Sequence, residues 1–396
     1  MRRECRGQWA VQSGEHPSFR RKAGVVLKLS LADLPTPSLV LDRGKLERNL
    51  KRMSDAVRRH GVALRPHLKT AKSFEVARLA TKGEAGGITV STLAEAEYFV
   101  EHGFADITVA AALPPQKLDR AAALVDRGAA LTLVADDADA ARPIASHRSP
   151  FRALVEIDSG DMRAGVSPSS AALLDVGRAL GEKLVGVLTH AGHSYNCRDV
   201  QCIVQIAEFE RQSVVTAAER LRAAGLRCDV VSVGSTPTMS HARNLDGVTE
   251  ARPGVYMFQD LFQAEIGSCG KDDIAMTVLA SVIGVNREEN RFLVDAGALA
   301  LSKDRSTQAT DHDAGYGEVW DLEGIPAFGT CIIERAYQEH GVASSGASLP
   351  FDRLSVGERV RVAPNHACIT AAAHDRYYVV NGSTDVIAVW DRVNGW

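Results

Sequence analysis

The sequence predicts an α/β fold in which a TIM (β/α)8 barrel is followed by a C-terminal antiparallel β domain. From residue 62 onward, short runs of β-branched residues alternate with amphipathic helical stretches at the spacing of repeated βα units. About eight such runs occur, and eight parallel strands close a TIM barrel. After Gly267 the helical periodicity fades, and β-type runs separated by turns replace it.

The barrel strands are expected at 63–68, 87–91, 106–110, 130–135, 152–157, 184–189, 229–233 and 254–258. Helices are expected between them, for example at 92–102, which carries apolar residues on one face, and at 200–224. An open doubly wound sheet is the alternative architecture. No glycine-rich nucleotide turn follows the first strand, so the barrel is preferred.

Three segments are expected along the chain. Residues 1–32 form a basic, acid-poor extension without an apolar stretch, which we expect to be disordered, with a transit peptide as the alternative. Residues 33–266 form the barrel, and residues 267–396 form the β domain, with strands expected at 275–285, 291–295, 358–362, 376–380 and 386–390. The early run 37–42 precedes a helix at 44–60 and is expected to pair with the β domain.

Composition narrows the class of ligand. Lys and Arg number 46 against 49 Asp and Glu, which gives a net charge of −3 and no basic field for nucleic acid or an anionic membrane. No apolar stretch is long enough to cross a bilayer. The seven cysteines contain no CxxC pair, which favours reduced thiols and a cytoplasmic protein. A small-molecule ligand is therefore expected.

Lys69 follows the first predicted barrel strand, where it would stand at the C-terminal mouth of the barrel. A partly dry lysine at such a mouth can lose its proton and attack an aldehyde, which is how pyridoxal 5'-phosphate (PLP) is captured. A merely solvated lysine is the alternative. Lys69 is our candidate catalytic and cofactor-binding residue.

Other polar groups follow the later strands and should share this mouth. Arg163 follows the fifth strand and could meet a cofactor, with a salt bridge to a neighbouring carboxylate as the alternative. His190 and Tyr195 follow the sixth strand. The seventh strand ends at Gly234, Ser235 and Thr236, where a barrel commonly binds phosphate, although an ordinary turn is the alternative. Tyr256 is placed on the eighth strand and could reach the phosphate or the ring.

The C-terminal domain supplies a possible metal pair. His366 and Cys368, two apart in a segment expected to be extended, would point the same way and could bind one metal ion through nitrogen and sulfur. Two ligands leave open positions, as in a catalytic site, and the thiolate favours zinc. A buried structural pair is the alternative. Gln338 and His340 form a further polar cluster that could orient substrate.

These segments, in this order, resemble the fold-type III PLP enzymes of the D-serine dehydratase and D-threonine aldolase family, whose fold is alanine racemase-like. The likeness runs from Leu34 to Trp396, with matching pieces at 65–70, 87–92, 188–192, 231–238, 295–297, 338–341 and 364–368. It implies that Lys69 forms the Schiff base with PLP, that 234–236 cradles the phosphate and that His366 and Cys368 bind a divalent metal, zinc or manganese. It also implies a homodimer with its sites near the interface.

The resemblance leaves two reactions open. A dehydratase would convert a 3-hydroxy-D-amino acid, such as D-threo-3-hydroxyaspartate or D-serine, into a 2-oxo acid and ammonia. An aldolase would use the same groups to give glycine and an aldehyde; family aldolases usually carry aspartate where Cys368 stands, which favours dehydration. A racemase has no need of the metal pair. A non-catalytic PLP-binding protein is the alternative from another class, although such chains usually lack a C-terminal β domain.

Overall fold

The computed structural model describes residues 29–396, which form two β-sheets with helices packed around them. The strands are β1 Ser38–Asp42, β2 Ala63–Leu64, β3 Ile88–Val90, β4 Asp106–Val109, β5 Ala130–Ala135, β6 Arg152–Ile157, β7 Leu184–Thr189, β8 Val230–Val233, β9 Glu250–Ala251, β10 Met276–Asn286, β11 Arg291–Val294, β12 Glu318–Trp320, β13 Ile332–Ala336, β14 Gly341–Ser344, β15 Arg359–Ala363, β16 Arg376–Val380 and β17 Ala388–Asp391.

The helices are α1 Arg43–Arg58, α2 Phe74–Ala80, α3 Leu93–Glu101, α4 Leu118–Asp126, α5 Ala138–Ser146, α6 Ala172–Leu180, α7 Val200–Ala223, α8 Thr236–His241, α9 Leu261–Glu265, α10 Ala298–Leu301 and α11 Ala367–Ala372. None of those in the described part of the chain is long and apolar enough to span a membrane. Helix α1 shows why they form: Asp42 caps its N-terminus by accepting the Lys45 N–H, and Leu46, Leu50, Met53 and Val57 recur at helical spacing on its buried face.

The first sheet is the predicted parallel barrel. Its strand order is β2-β9-β8-β7-β6-β5-β4-β3, with every pairing parallel. The two ends of this sheet meet just after β2, where His67 bridges Thr89 in parallel. The carboxyl ends of the strands therefore share one mouth, as in a TIM barrel.

The second sheet is antiparallel apart from one pairing and also closes on itself. Its order is β11-β14-β13-β12-β15-β10-β1-β16-β17, and β11 pairs additionally with β10. The early strand β1 lies inside this sheet, antiparallel to β10 and parallel to β16. The chain thus begins its described part in the β domain, forms the barrel, and returns.

Most of the predicted barrel strands are confirmed, three of them (β5, β6 and β7) with the predicted bounds. The eighth is wrong: the strand is Glu250–Ala251, and Val255–Met257 is a 3-10 turn. Pro253 separates the two, because proline has no N–H to donate to the ladder. In the β domain, strands β12, β13 and β14 were not predicted, since they have only three to five residues and the charged Glu318, Glu334 and Arg335 interrupt their apolar pattern.

The N-terminal extension is only partly within the described residues. Residues 1–28 of the segment expected to be disordered lie outside them. The rest is ordered: Leu31 is fully buried, and its N–H donates to the carbonyl of Thr384 at 2.9 Å. Residues 29–32 therefore pack against the C-terminal part of the chain.

The expectation that all cysteines are reduced thiols is wrong for one pair. Cys197 and Cys202 form a disulfide between the loop after β7 and the first turn of α7. The other cysteines of the described residues, Cys228, Cys269, Cys331 and Cys368, are free. The argument from cysteines to the cytoplasm is weakened accordingly, and that location stays a prediction.

Candidate active site

Lys69 stands in a turn that follows β2 and the parallel bridge at His67. The strand's ladder ends with the Leu68 N–H donating to Thr89 at 2.8 Å, and the lysine side chain that follows is exposed. Its positive charge acts on His67 and His190 from the barrel and on Cys368 from the β domain. The amine therefore lies at the barrel mouth, between the two domains.

His190 presents a neutral imidazole to the same mouth. Its Nδ1 lies 2.7 Å from the carbonyl oxygen of Gly234, so Nδ1 carries the proton and donates it. Burial, together with the positive charge of Lys69, lowers the pKa of His190 to about 3. A ring held in this way can pack against a flat ligand without exchanging a proton at neutral pH.

His190 should make the cofactor-free protein less stable as the pH falls. Its pKa is about 3 in the folded protein, so between that value and the unfolded value of about 6.5 only the unfolded chain binds the proton. The contribution of His190 to the free energy of unfolding is complete above the unfolded pKa. As the pH falls below that value, the contribution decreases by up to about 1.4 kcal/mol per pH unit. In urea unfolding between pH 6.5 and 5, His190→Asn should flatten the dependence of the unfolding free energy on pH. An unchanged slope would mean that folding does not lower the pKa of His190.

The turn after β8 requires glycine at position 234. Gly234 has φ +139°, and a Cβ there would lie 2.7 Å from the backbone nitrogen of Arg252. Ser235 caps α8, because its hydroxyl accepts the Thr238 N–H at 3.2 Å. The Thr236 hydroxyl accepts the Tyr256 N–H at 3.0 Å. The sequence therefore builds a close-packed turn with two hydroxyls at the mouth.

Glu210 on α7 ties this turn to the preceding loop and was not predicted from the sequence. Its Oε1 accepts the N–H of Ala191 at 3.0 Å and that of Gly234 at 3.1 Å. The side chain is fully buried, which raises its pKa, and its Oε2 has no hydrogen-bond partner among the described residues. The Gly234 N–H is consequently directed at Glu210.

The two candidate tyrosines differ in where their hydroxyls lie. The Tyr195 hydroxyl lies near the backbone of Thr236, and its ring stacks on Phe262 with centroids 6.1 Å apart. Burial raises the pKa of Tyr195. Tyr256 is fully buried in a 3-10 turn, and the charged group that acts on its hydroxyl is Glu84, outside the mouth. The Tyr256 hydroxyl has no hydrogen-bond partner among the described residues, while its backbone N–H reaches the turn, so a role of the hydroxyl at the cofactor stays a prediction.

Arg163 lies at the rim of the mouth. Its guanidinium is 4.0 Å from Glu156 and 3.9 Å from Asp161, and its side chain is 60% exposed. Its charge nevertheless acts on His190. In this structure Arg163 therefore has the alternative role, a salt bridge to neighbouring carboxylates.

Arg252 is a buried cation beneath the mouth that sequence reasoning missed. Its Nε donates to the Ser232 hydroxyl at 2.6 Å, and its Nη2 donates to the Thr189 carbonyl. Its charge acts on both His67 and His190. Arg252 was missed because the eighth strand was predicted at 254–258. Arg252 directly follows the observed strand β9 and is therefore a strand-end residue.

His366 and Cys368 meet the barrel at Lys69. The Cys368 sulfur lies 2.9 Å from the Thr70 hydroxyl oxygen, and His366 acts electrostatically on the Cys368 thiol. Burial alone would raise the pKa of the Cys368 thiol, but His366 and Lys69 hold it below its ordinary value. The expected extended segment is wrong, since His366 is the N-cap of α11 and Cys368 lies in its first turn. The two side chains still converge because the first turn brings them together.

Gln338 and His340 are not brought to this mouth. They lie in the turn between β13 and β14, and both side chains are exposed. The turn packs through its backbone on α10, where the Leu299 N–H donates to the Gln338 carbonyl at 3.1 Å. Within the described chain, neither side chain contacts Lys69 or the His366–Cys368 pair.

Comparison with known proteins gives the family. The alanine racemase N-terminal domain model matches residues 41–261, and the putative serine dehydratase domain model matches residues 275–380. D-threo-3-hydroxyaspartate dehydratase from Delftia sp. (strain HT23) is 44% identical, covering 93% of this chain and 99% of the relative. D-serine dehydratase from Dictyostelium discoideum is 30% identical, covering 92% and 98%.

A solved structure carries the likeness into three dimensions. A cysteine-to-alanine mutant of D-threo-3-hydroxyaspartate dehydratase, in the metal-free form, superposes with a TM-score of 0.90 at 42% identity, covering 93% of this chain and 100% of that chain. The sequence comparison, the two domain models and the structural superposition match the same part of the chain. The chain belongs to the family of fold-type III pyridoxal-phosphate enzymes that contains the D-serine and D-threo-3-hydroxyaspartate dehydratases.

Proposed function

We propose that this protein is a PLP- and divalent-metal-dependent dehydratase, which converts a 3-hydroxy-D-amino acid into a 2-oxo acid and ammonia. The observation that carries the proposal is the 2.9 Å contact between Thr70 and Cys368, because it brings the residue after Lys69 to the thiol of the His366–Cys368 pair. An amine for an aldehyde cofactor and a nitrogen–sulfur pair for a metal thus face one mouth.

The barrel residues fit the cofactor. Lys69 would hold it covalently through Nζ, and the neutral His190 would pack against its ring. The phosphate would lie at the turn of Gly234, Ser235 and Thr236, which packs so closely on the Arg252 backbone that it has no room for a side chain at position 234. Since the Gly234 N–H is donated to Glu210, the Ser235 and Thr236 hydroxyls would be the main donors of this turn.

Further side chains have smaller proposed parts in binding the cofactor. Tyr195 would support the phosphate turn through its hydroxyl, which lies near the Thr236 backbone. Arg163 would reach the cofactor from the rim only by leaving Glu156 and Asp161. Tyr256 would contribute its backbone, which bonds the Thr236 hydroxyl.

The C-terminal pair fits a catalytic metal. The described residues contain no group of three or more His, Cys, Asp or Glu side chains that could hold an ion, so His366 and Cys368 would bind it with positions left for water or substrate. A lowered thiol pKa favours the thiolate that binds metal. Nitrogen and sulfur donors suit zinc, and manganese is the second candidate.

The chain's own residues divide the work of dehydration. When bound, PLP supplies an electron sink for Cα and the metal supplies a Lewis acid for the departing β-oxygen. Lys69 Nζ, exposed at the mouth, takes the Cα proton. His190 is neutral and already donates its proton to Gly234, so it does not compete with Lys69 as an acid.

The proposed substrate is D-threo-3-hydroxyaspartate, with D-serine second, because the relatives that align over nearly the whole chain are named for these compounds. We also propose a homodimer. Gln338 and His340 are exposed on this chain, so any contact of theirs with substrate would be made across such a dimer.

Product analysis tests the reaction. Purified enzyme with PLP and zinc is incubated with D-serine, D-threonine and the 3-hydroxyaspartate isomers, and ammonia, 2-oxo acid and glycine are measured. We expect ammonia and oxaloacetate in equal amounts from D-threo-3-hydroxyaspartate. Glycine with an aldehyde would replace the dehydratase by the aldolase, and no product from any of them, with PLP bound, would favour the non-catalytic alternative.

A further inference from the structure

Among the described residues, the Asp304 carboxylate is the hydrogen-bond partner of His366 Nδ1. Its Oδ2 lies 2.6 Å from that nitrogen, and the two residues are 62 positions apart in the sequence. We infer that Asp304 is a positioning residue, which fixes the orientation and tautomer of His366 so that Nε2 is presented for metal binding. The inference rests on the proposed metal site and names a residue that acts through His366.

The geometry leaves only one nitrogen of His366 for a metal. A carboxylate that accepts the Nδ1 proton fixes the tautomer in which Nε2 carries a free lone pair. Metal-binding histidines are generally held by such an outer partner. Although His366 occupies the N-cap position of α11, its side chain makes no capping hydrogen bond. The ring is therefore held by Asp304 on one side and faces Cys368 on the other.

Asp304 is itself fixed at both ends. The Ser306 hydroxyl donates to Oδ1 at 2.5 Å, which leaves Oδ2 for His366. The Asp304 N–H donates to the Ser302 hydroxyl at 3.1 Å. A carboxylate used in this way turns its second oxygen toward Nδ1 and is not a further metal ligand. On the opposite side of the pair, Thr70 bonds the Cys368 sulfur, so each ligand has its own support.

The test measures zinc affinity of the PLP-loaded, metal-stripped holoenzyme by competition with a chromophoric chelator. Asp304→Asn keeps the shape of the side chain and removes its charge. We expect it to weaken zinc binding about 10- to 100-fold, with the visible spectrum of bound PLP and the melting temperature unchanged. A purely structural role would lower the melting temperature and leave the affinity of the folded protein as it was.

Asp313→Asn is the matched control, because Asp313 pairs with Arg305 on the same segment and does not contact His366. It should bind zinc within about twofold of the wild type. Ser306→Ala provides a milder variant: it keeps Asp304 and removes only the hydrogen bond to Oδ1, which should weaken zinc binding by about fivefold. This variant keeps the inference testable if Asp304→Asn does not fold.

His366→Ala separates the inference from the proposal beneath it. Loss of zinc binding in His366→Ala, with wild-type affinity in both Asp304→Asn and Ser306→Ala, would overturn the role of Asp304 and leave the metal site standing. Wild-type zinc affinity in His366→Ala would overturn both. Graded loss, strongest in His366→Ala and weakest in Ser306→Ala, supports both.

Discussion

Lys69→Ala is expected to lose the visible absorbance of enzyme-bound PLP and to lose turnover by on the order of 10⁴-fold or more, as when a covalent catalytic group is removed. Lys69 is the exposed amine at the mouth, and its charge reaches His190 and Cys368. Without Nζ, the protein has no amine at this position to bind the aldehyde of PLP. It also has no base there to take the Cα proton. An absorbance titration with PLP and a steady-state assay of oxaloacetate release measure the two effects.

Lys72→Arg is the matched control for this experiment. Lys72 lies three residues further on, but its ammonium is 3.2 Å from the buried Glu95 carboxylate. Arginine preserves that ion pair and cannot condense with an aldehyde, so the variant should keep both absorbance and activity. The assignment is contradicted if Lys69→Ala retains the cofactor band while Lys72→Arg loses it.

The barrel was predictable wherever a strand is long and mostly buried. Strands β5, β6 and β7 have the predicted bounds because each has six residues, most of them buried, even though β6 carries Arg152 and Glu156. The eighth strand failed because it has only two residues. It carries Glu250, followed by Arg252, and these charges are buried inside the barrel, where Arg65 bonds Glu250 at 2.7 Å. A neighbouring apolar run, 255–258, forms a buried turn and attracted the assignment.

The site was predictable as far as strand topology reaches. Residues that follow parallel strands share one mouth, which places Lys69, His190 and the 234–236 turn together without any knowledge of side-chain contacts. The supporting residues have no such local signal. Asp304 meets His366 across 62 positions, and Thr70 meets Cys368 across 298. The first pair depends on how the β domain folds on itself, and the second on how that domain packs on the barrel.

Removal of metal is expected to stop dehydration while PLP stays bound. Hydroxide is a poor leaving group at neutral pH, and a Lewis acid on the β-oxygen supplies several kcal/mol, so its loss should slow turnover by at least about 10³-fold. Dialysis against a chelator should have this effect without changing the visible spectrum, since Lys69 is not a metal ligand. Added zinc or manganese should restore activity, and the metal that restores more identifies the better cofactor.

Cysteine variants locate the metal in the same assay. Cys368→Ala should reproduce the chelated state and resist rescue by zinc, because it removes the thiolate beside His366. Cys331→Ala is the control: Cys331 is a free, buried cysteine of the β domain whose charged neighbour is Glu318, and it should keep metal-dependent turnover. Full dehydration by thoroughly metal-free enzyme would take His366 and Cys368 out of the reaction. In that case the β-oxygen would need a proton from the protein in order to leave. Lys69 would be the first candidate for this acid, because it carries the proton that it takes from Cα.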